Sequence, residues 1–114
     1  MSGRPLPNTH EAVVPAVKVR LCLLDPAHPG NGGKAAFFAA FGFTARHWTA
    51  LRDALLAHPD MHPVINVVAS AWETKYEVRC GLPSPDGRDP CVRSIWVIDA
   101  ASPNPRLVTA YAYP

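Results

Sequence analysis

No long apolar run occurs in this sequence. Its 114 residues are 48% apolar, yet no stretch approaches the ~18 residues that a membrane helix needs. One globular domain with a modest core of its own is therefore expected, with no membrane among its partners. Residues 1–7 are polar and proline-bearing and lack the apolar segment of an export signal, so a cytoplasmic location is expected. Cysteine is sparse: Cys22, Cys80 and Cys91 are odd in number and make no C-x-x-C pair. That pattern suits reduced thiols better than a disulfide framework, and Cys22 and Cys80 read as small core residues. A dominant charge is also missing. The net charge is only +2, and Lys18, Lys34 and Lys75 are the only lysines, so any affinity for nucleic acid must come from a local site.

Proline, by contrast, is plentiful, with 13 residues that cut the chain into short elements. Residues 1–10 are expected to form a flexible tail and 11–114 a single domain. Val13 to Leu24 reads as a helix with Pro15 in its first turn and Val17, Leu21 and Leu24 on its apolar face. A second helix from Lys34 to Phe41 offers Phe37, Phe38 and Phe41 to the core and stops at Gly42. Thr44 suits the N-cap of a third, Ala45 to Ala57, with Trp48, Leu51 and Leu55 inward. His58 to Pro63 reads as a loop carrying two surface histidines. The hydrophobic period then falls to two. Strands are expected at Val64–Ala69, Lys75–Cys80, Cys91–Asp99 (the central one) and Leu107–Tyr113, with turns at Pro83–Gly87 and Ala101–Pro105. Helices first and strands afterwards give an α+β fold: two or three N-terminal helices on one face of a three- to four-stranded antiparallel sheet.

Two places can carry chemistry. The loop Asp25-Pro26-Ala27-His28-Pro29-Gly30-Asn31-Gly32-Gly33 is glycine-rich, holds one histidine, and delivers Lys34 into the first turn of a helix. Gly32 and Gly33 permit backbone conformations with positive φ, and a lysine beside unpaired helix N–H groups suits a phosphate. The second place is the sheet face away from the helices. Strand alternation puts Lys75, Glu77 and Arg79 there, with Arg93, Thr109 and Tyr111 on neighbouring strands; a one-residue slip would invert the last strand. Cations, a hydroxyl and a tyrosine suit RNA. Cleavage by the ribose 2′-OH needs a base, an acid and cations near phosphorus, and His28, Glu77, Lys34, Lys75 and Arg93 match those needs in type. A solvated loop and an ordinary solvated sheet face are the alternatives.

Other motifs fail. Gly33-Lys34 is followed by Ala35, and His28 stands where a phosphate loop needs glycine. His58 and His62 have no cysteine near them and no zinc-ligand spacing, so neither a metal nor another cofactor is expected. No Cys–His pairing for a nucleophile is evident.

The segments Asp25-Pro26-x-His28-Pro29, Lys34-Ala35-x-Phe37, Gly42-Phe43-Thr44, Lys75-Tyr76-x-Val78, Arg93-Ser94-x-Trp96-Val97-Ile98 and Pro105-Arg106-Leu107-Val108-Thr109-Ala110-Tyr111 resemble, in this order, a bacterial family catalogued as a domain of unknown function. The resemblance runs from about Glu11 to the C-terminus. It implies a polymorphic-toxin or toxin–antitoxin module with a small antitoxin or immunity protein as partner. The element order also resembles, by analogy of architecture, the barnase, EndoU and RelE group of ribonuclease toxins. The family pattern carries a second histidine immediately before the lysine, where this chain has Gly33, so His28 acts alone or the activity is impaired.

The resulting expectation is a toxin-type, metal-independent ribonuclease acting on RNA. Lys34, Lys75 and Arg93 would hold the phosphate, His28 would move a proton, and Thr109 and Tyr111 would position the nucleotide. Arg79, Gly32 and Gly33 would complete the binding site. The other expectation is a non-catalytic module that binds a partner through its sheet edge or open face, suggested by the apolar last strand.

Overall fold

The computed structural model describes residues 4–28, 30 and 32–113; Pro29 and Asn31 of the glycine-rich loop lie outside them. The described residues form three helices packed on a four-stranded antiparallel sheet, an α+β fold. Helix α1, Ala16–Lys18, runs directly into a π-helical turn, Val19–Leu23; α2 is Lys34–Ala40 and α3 is Trp48–Met61. Strands β1 (Val64–Ala69), β2 (Glu73–Gly81), β3 (Cys91–Asp99) and β4 (Ser102–Ala112) follow in sequence order across the sheet. The meander leaves β3 with a neighbour on each side, as its two-sided apolar half requires.

The first helix departs from the sequence expectation in its apolar face. Val19 and Leu23 are buried with Leu24, while Val17 is 62% and Leu21 55% exposed. Val17 and Leu21, four residues apart, do share a face, but it is the one turned to solvent. Val19 and Leu23 share the buried one, and the π turn, closed by Leu24 N–H donating to the Val19 carbonyl at 3.0 Å, leaves Leu24 buried beside them. Val13 is not helical. It bridges β4, its N–H donating to the Pro105 carbonyl at 2.8 Å and its carbonyl accepting from Leu107 N–H at 3.0 Å. The core also begins earlier than residue 11, because Leu6 is buried and Arg4 bridges Val64.

The third helix starts three residues later than expected, at Trp48 with His47 and not Thr44 at its N-cap, and runs on through Pro59 to Met61. Proline lacks the N–H that would reach residue 55, but the remaining turn is fixed because Leu55, His58 and Pro59 are all buried. His58, expected on the surface of a loop, is instead fully buried. Its Nε2–H donates to the Cys80 carbonyl at 2.7 Å, and its Nδ1 lies 2.8 Å from Ser94 Oγ. A carbonyl only accepts, so the proton sits on Nε2 and Nδ1 accepts from the Ser94 hydroxyl. Ser94 Oγ in turn accepts from Trp96 Nε1–H at 2.9 Å. Burial holds the His58 pKa down at about 4, against a smaller opposing effect of the Cys80 carbonyl.

Strand β4 starts five residues before the expected Leu107, absorbing what read as a turn. Pro103 and Pro105 fit because this edge need not donate to another strand there; their carbonyls accept from Asn8 Nδ2 and Val13 N–H. The register confirms the expected sheet face. Arg79, Arg93 and Tyr111 form one cross-strand row, and Glu77, Ile95 and Thr109 the next. One cysteine departs from this pattern: Cys80 has φ 139° and is exposed rather than in the core.

Candidate functional site

The glycine-rich loop is shaped by backbone geometry. Gly32 (φ 61°) and Gly33 (φ 86°) are both left-handed, conformations in which a Cβ is unfavourable. Gly33 caps α2, its carbonyl accepting from Phe37 N–H at 3.0 Å, and so sets Lys34 at the first helical position. The Lys34 Nζ donates back to the Gly30 carbonyl at 3.4 Å. His28 is held from both sides of its ring: Gly30 N–H donates to Nδ1 at 3.1 Å, and Nε2 lies 3.6 Å from Cys22 Sγ. Because Nδ1 accepts, the neutral imidazole carries its proton on Nε2 and presents a donor toward Cys22.

These groups line a cavity of about 230 Å³ with Lys18, Leu23, Val108 and Thr109. The structure thus brings together His28, Lys34 and Thr109 from the candidates, with Gly30 of the same loop. It adds Lys18 and Cys22, which sequence reasoning missed. Lys18 lies one turn before Cys22 in a helical stretch, spacing that puts both on one face; no motif marks either residue. Cys22, expected as a core residue, is half-buried beside the histidine, so a Cys–His pairing exists here. Among the described residues no carboxylate lines the cavity, and the two lysines are the charged side chains they bring to it.

The other candidates gather on the sheet. Glu77 Oε2 is 2.9 Å from Arg79 Nη2 and 2.8 Å from Arg93 Nε. The second contact is an ion pair without hydrogen-bond alignment, since Arg93 Nε–H has no partner in line with it. Arg93 Nη1 donates to the Tyr111 hydroxyl at 3.3 Å, and the guanidinium of Arg79 stacks 4.0 Å over the Tyr113 ring. The Tyr111 hydrogen bond, with the Glu77 charge adding to it, raises the Arg93 pKa against the cost of burial. Glu77 is thus committed to two arginines and stands apart from the His28 cavity. Lys75 is separate again, 3.8 Å from Glu73 and half-exposed. The two groups meet along β4: Thr109, in the cavity wall, and Tyr111, in the arginine cluster, are two residues apart, about 7 Å along a strand.

A third feature lies at the opposite edge. Val67 is 53% and Val68 58% exposed on β1, Ile65 is exposed with them, and Trp72 beyond the strand is 81% exposed. Beside β1 a groove of about 490 Å³ is lined by Arg4, Pro5, Pro7, the stretch 64–67 and Tyr76. The apolar edge is therefore β1 and not the last strand, whose edge Val13 partly covers.

Among the described residues, no helix is long and apolar enough to cross a membrane, and no three His, Cys, Asp or Glu side chains are placed to share a metal ion.

Comparison with known proteins gave two matches. The family model of a domain of unknown function (DUF6883) matches residues 5–114. No curated protein matches. Among solved structures, a chain of a contact-dependent growth inhibition toxin–immunity protein complex from Klebsiella pneumoniae 342 is similar in fold, with TM-score 0.69 and 11% identity, covering 94% of this chain and 97% of that one.

Proposed function

The chain belongs to the DUF6883 family, a domain of unknown function, and we propose that it is a toxin-type, metal-independent ribonuclease restrained by an immunity-type partner. One observation carries this reading: His28 and Lys34 of the glycine-rich loop and Thr109 of β4 line one cavity with Lys18, and among the described residues no carboxylate joins them. In RNA cleavage the ribose 2′-oxygen attacks the adjacent phosphorus and the 5′-oxygen leaves. Lys18 and Lys34 stabilise the charge that grows on the phosphoryl oxygens. Protonated at Nδ1, which gives up the Gly30 contact, His28 is an imidazolium; it donates its Nε2 proton to the leaving oxygen and returns to the neutral ring, and water takes the proton of the 2′-hydroxyl. Thr109 orients the ribose. The Tyr111–Arg93–Arg79 row, Lys75 and the left-handed Gly32 and Gly33 extend the binding surface, the tyrosine by stacking on a flanking base. The fold shared with a chain of a toxin–immunity complex supports a protein partner.

Growth after induced expression, with total RNA from wild type and Lys34→Ala cultures, tests the proposal. Arrest and discrete RNA fragments from the wild type alone are expected. Normal growth and intact RNA with folded wild-type protein would defeat it.

A second reading is favoured by the exposed Ile65, Val67, Val68 and Trp72 at the β1 edge: a non-catalytic module to which a partner protein adds a strand. Under this reading Lys34→Ala changes nothing, whereas Val67→Lys weakens the complex.

A further inference from the structure

Cys80 and Cys91 stand at the ends of paired strands, and the register pairs Cys80 with Val92 and Gly81 with Cys91. The two cysteines are thus diagonal neighbours. With strands about 5 Å apart and a rise of about 3.4 Å per residue, their Cα atoms lie about 6 Å apart, in the middle of the range that a disulfide spans. In a regular ladder such diagonal residues face opposite ways. Cys80 is the exception to the ladder: its φ of 139° is one that side-chain-bearing residues rarely adopt, and it leaves Cys80 exposed while Val92 opposite is buried. The turned-out thiol lies close enough to Cys91 to influence its ionisation, as do Arg79 and Arg93. A strained backbone that brings two thiols to one side of a strand pair is a local cost that packing alone does not demand.

We propose that Cys80 and Cys91 are a dithiol site that a small-molecule disulfide, such as oxidised glutathione, converts to an intramolecular disulfide. The exposed Cys80, as thiolate, attacks one sulfur of the reagent. The reagent's S–S bond breaks, one small thiol leaves, and a mixed disulfide remains on Cys80. Cys91 then attacks the Cys80 sulfur and displaces the second small thiol. Two protein thiols are oxidised, one external disulfide is reduced to two thiols, and the two protons pass to those thiols. The order follows from exposure: burial, with the Cys80 thiol beside it, pushes the Cys91 pKa up to about 11, so Cys91 is the poorer first nucleophile.

The test is oxidation of the full chain with oxidised glutathione, alkylation of the remaining thiols, and peptide mass mapping. The expected product links the peptides of Cys80 and Cys91 and leaves Cys22 alkylated, while Cys91→Ser stops at a glutathione adduct on Cys80. A thiol titration of the oxidised wild type, which needs no variant, should lose two of the three thiols. Stable glutathione adducts without linkage, disulfides between chains, a disulfide involving Cys22, or three unreacted thiols would each overturn the proposal.

Discussion

Acidification should destabilise this fold through one buried imidazole. His58 is neutral in the folded protein, donating to the Cys80 carbonyl and accepting from Ser94. Protonation would place a second donor against Ser94, whose oxygen already accepts from Trp96. The His58 pKa is held at about 4 when folded, against an ordinary 6.5. Above pH 6.5 neither state binds the proton and the site contributes no pH dependence. Between 6.5 and about 4 the unfolded chain binds it and the folded chain does not, so stability falls as pH falls; below about 4 both are protonated and the loss is complete. At about 1.4 kcal/mol per pH unit, that window is worth about 3 kcal/mol, a large part of a small domain's stability. Asp86 and Asp99 work in the same direction but at lower pH, because hydrogen bonds from Arg88, and from the Ala101 N–H and Arg106, depress them below 3.8. Their stabilisation is lost only as pH falls through those depressed values. The assay is urea unfolding at steps from pH 7.5 to 4, wild type beside His58→Gln (about 3.5 pH units in all). The variant starts less stable but should lose about 3 kcal/mol less across the series. Parallel curves for the two proteins would refute the buried neutral imidazole.

Three further outcomes are expected. Lys34→Ala and His28→Ala should each lower RNA cleavage about 10²–10³-fold while urea midpoints stay near wild type, since both side chains are only partly buried; equal cleavage by the variants would remove the cavity from the mechanism. Ser94→Ala should cost about 1–3 kcal/mol, because Trp96 Nε1–H and His58 Nδ1 both lose their partner inside the core, and a double-mutant cycle with His58→Gln should show the two losses to be non-additive. Val67→Lys should leave thermal stability within about 0.5 kcal/mol and weaken capture by an immunity-type partner, which a titration by calorimetry would read.

Particular residues explain what could be read in advance. The period-two stretch 75–80 and the two-sided apolar run 95–98 announced their strands, because a pleat leaves each side chain one of two faces. Gly33 and Gly42 marked the ends of α2 through their positive φ. The first helix misled because apolar residues stand on both its sides, and tertiary packing buried Val19 and Leu23 and left Val17 and Leu21 in solvent. His58 misled because His-Pro reads locally as a loop, whereas the burial of Leu55 and Pro59 and the partnership with Ser94, 36 residues away, decide its place. The His28–Lys34 pair was legible as a loop motif. Its meeting with Thr109 depended on tertiary packing, and Lys18 and Cys22 became visible only with it. Glu77 had the right chemistry for a base, but two arginines on its own face claim it.

The bridges of Arg4 to Val64 and of Val13 to Arg106 have a kinetic consequence. Contacts between the first residues and the last strand have large sequence separation, and loop closure over such distances slows folding. The β1–β2 hairpin closes locally and the π turn packs on α2 and α3, but the contacts of α1 with β4 must wait for that last strand. A chain that emerges or is threaded from its N-terminal end therefore stays incomplete until nearly all of it has passed. Any cavity that needs Lys18, His28, Lys34 and Thr109 together is assembled last, so the site exists only once the whole fold does.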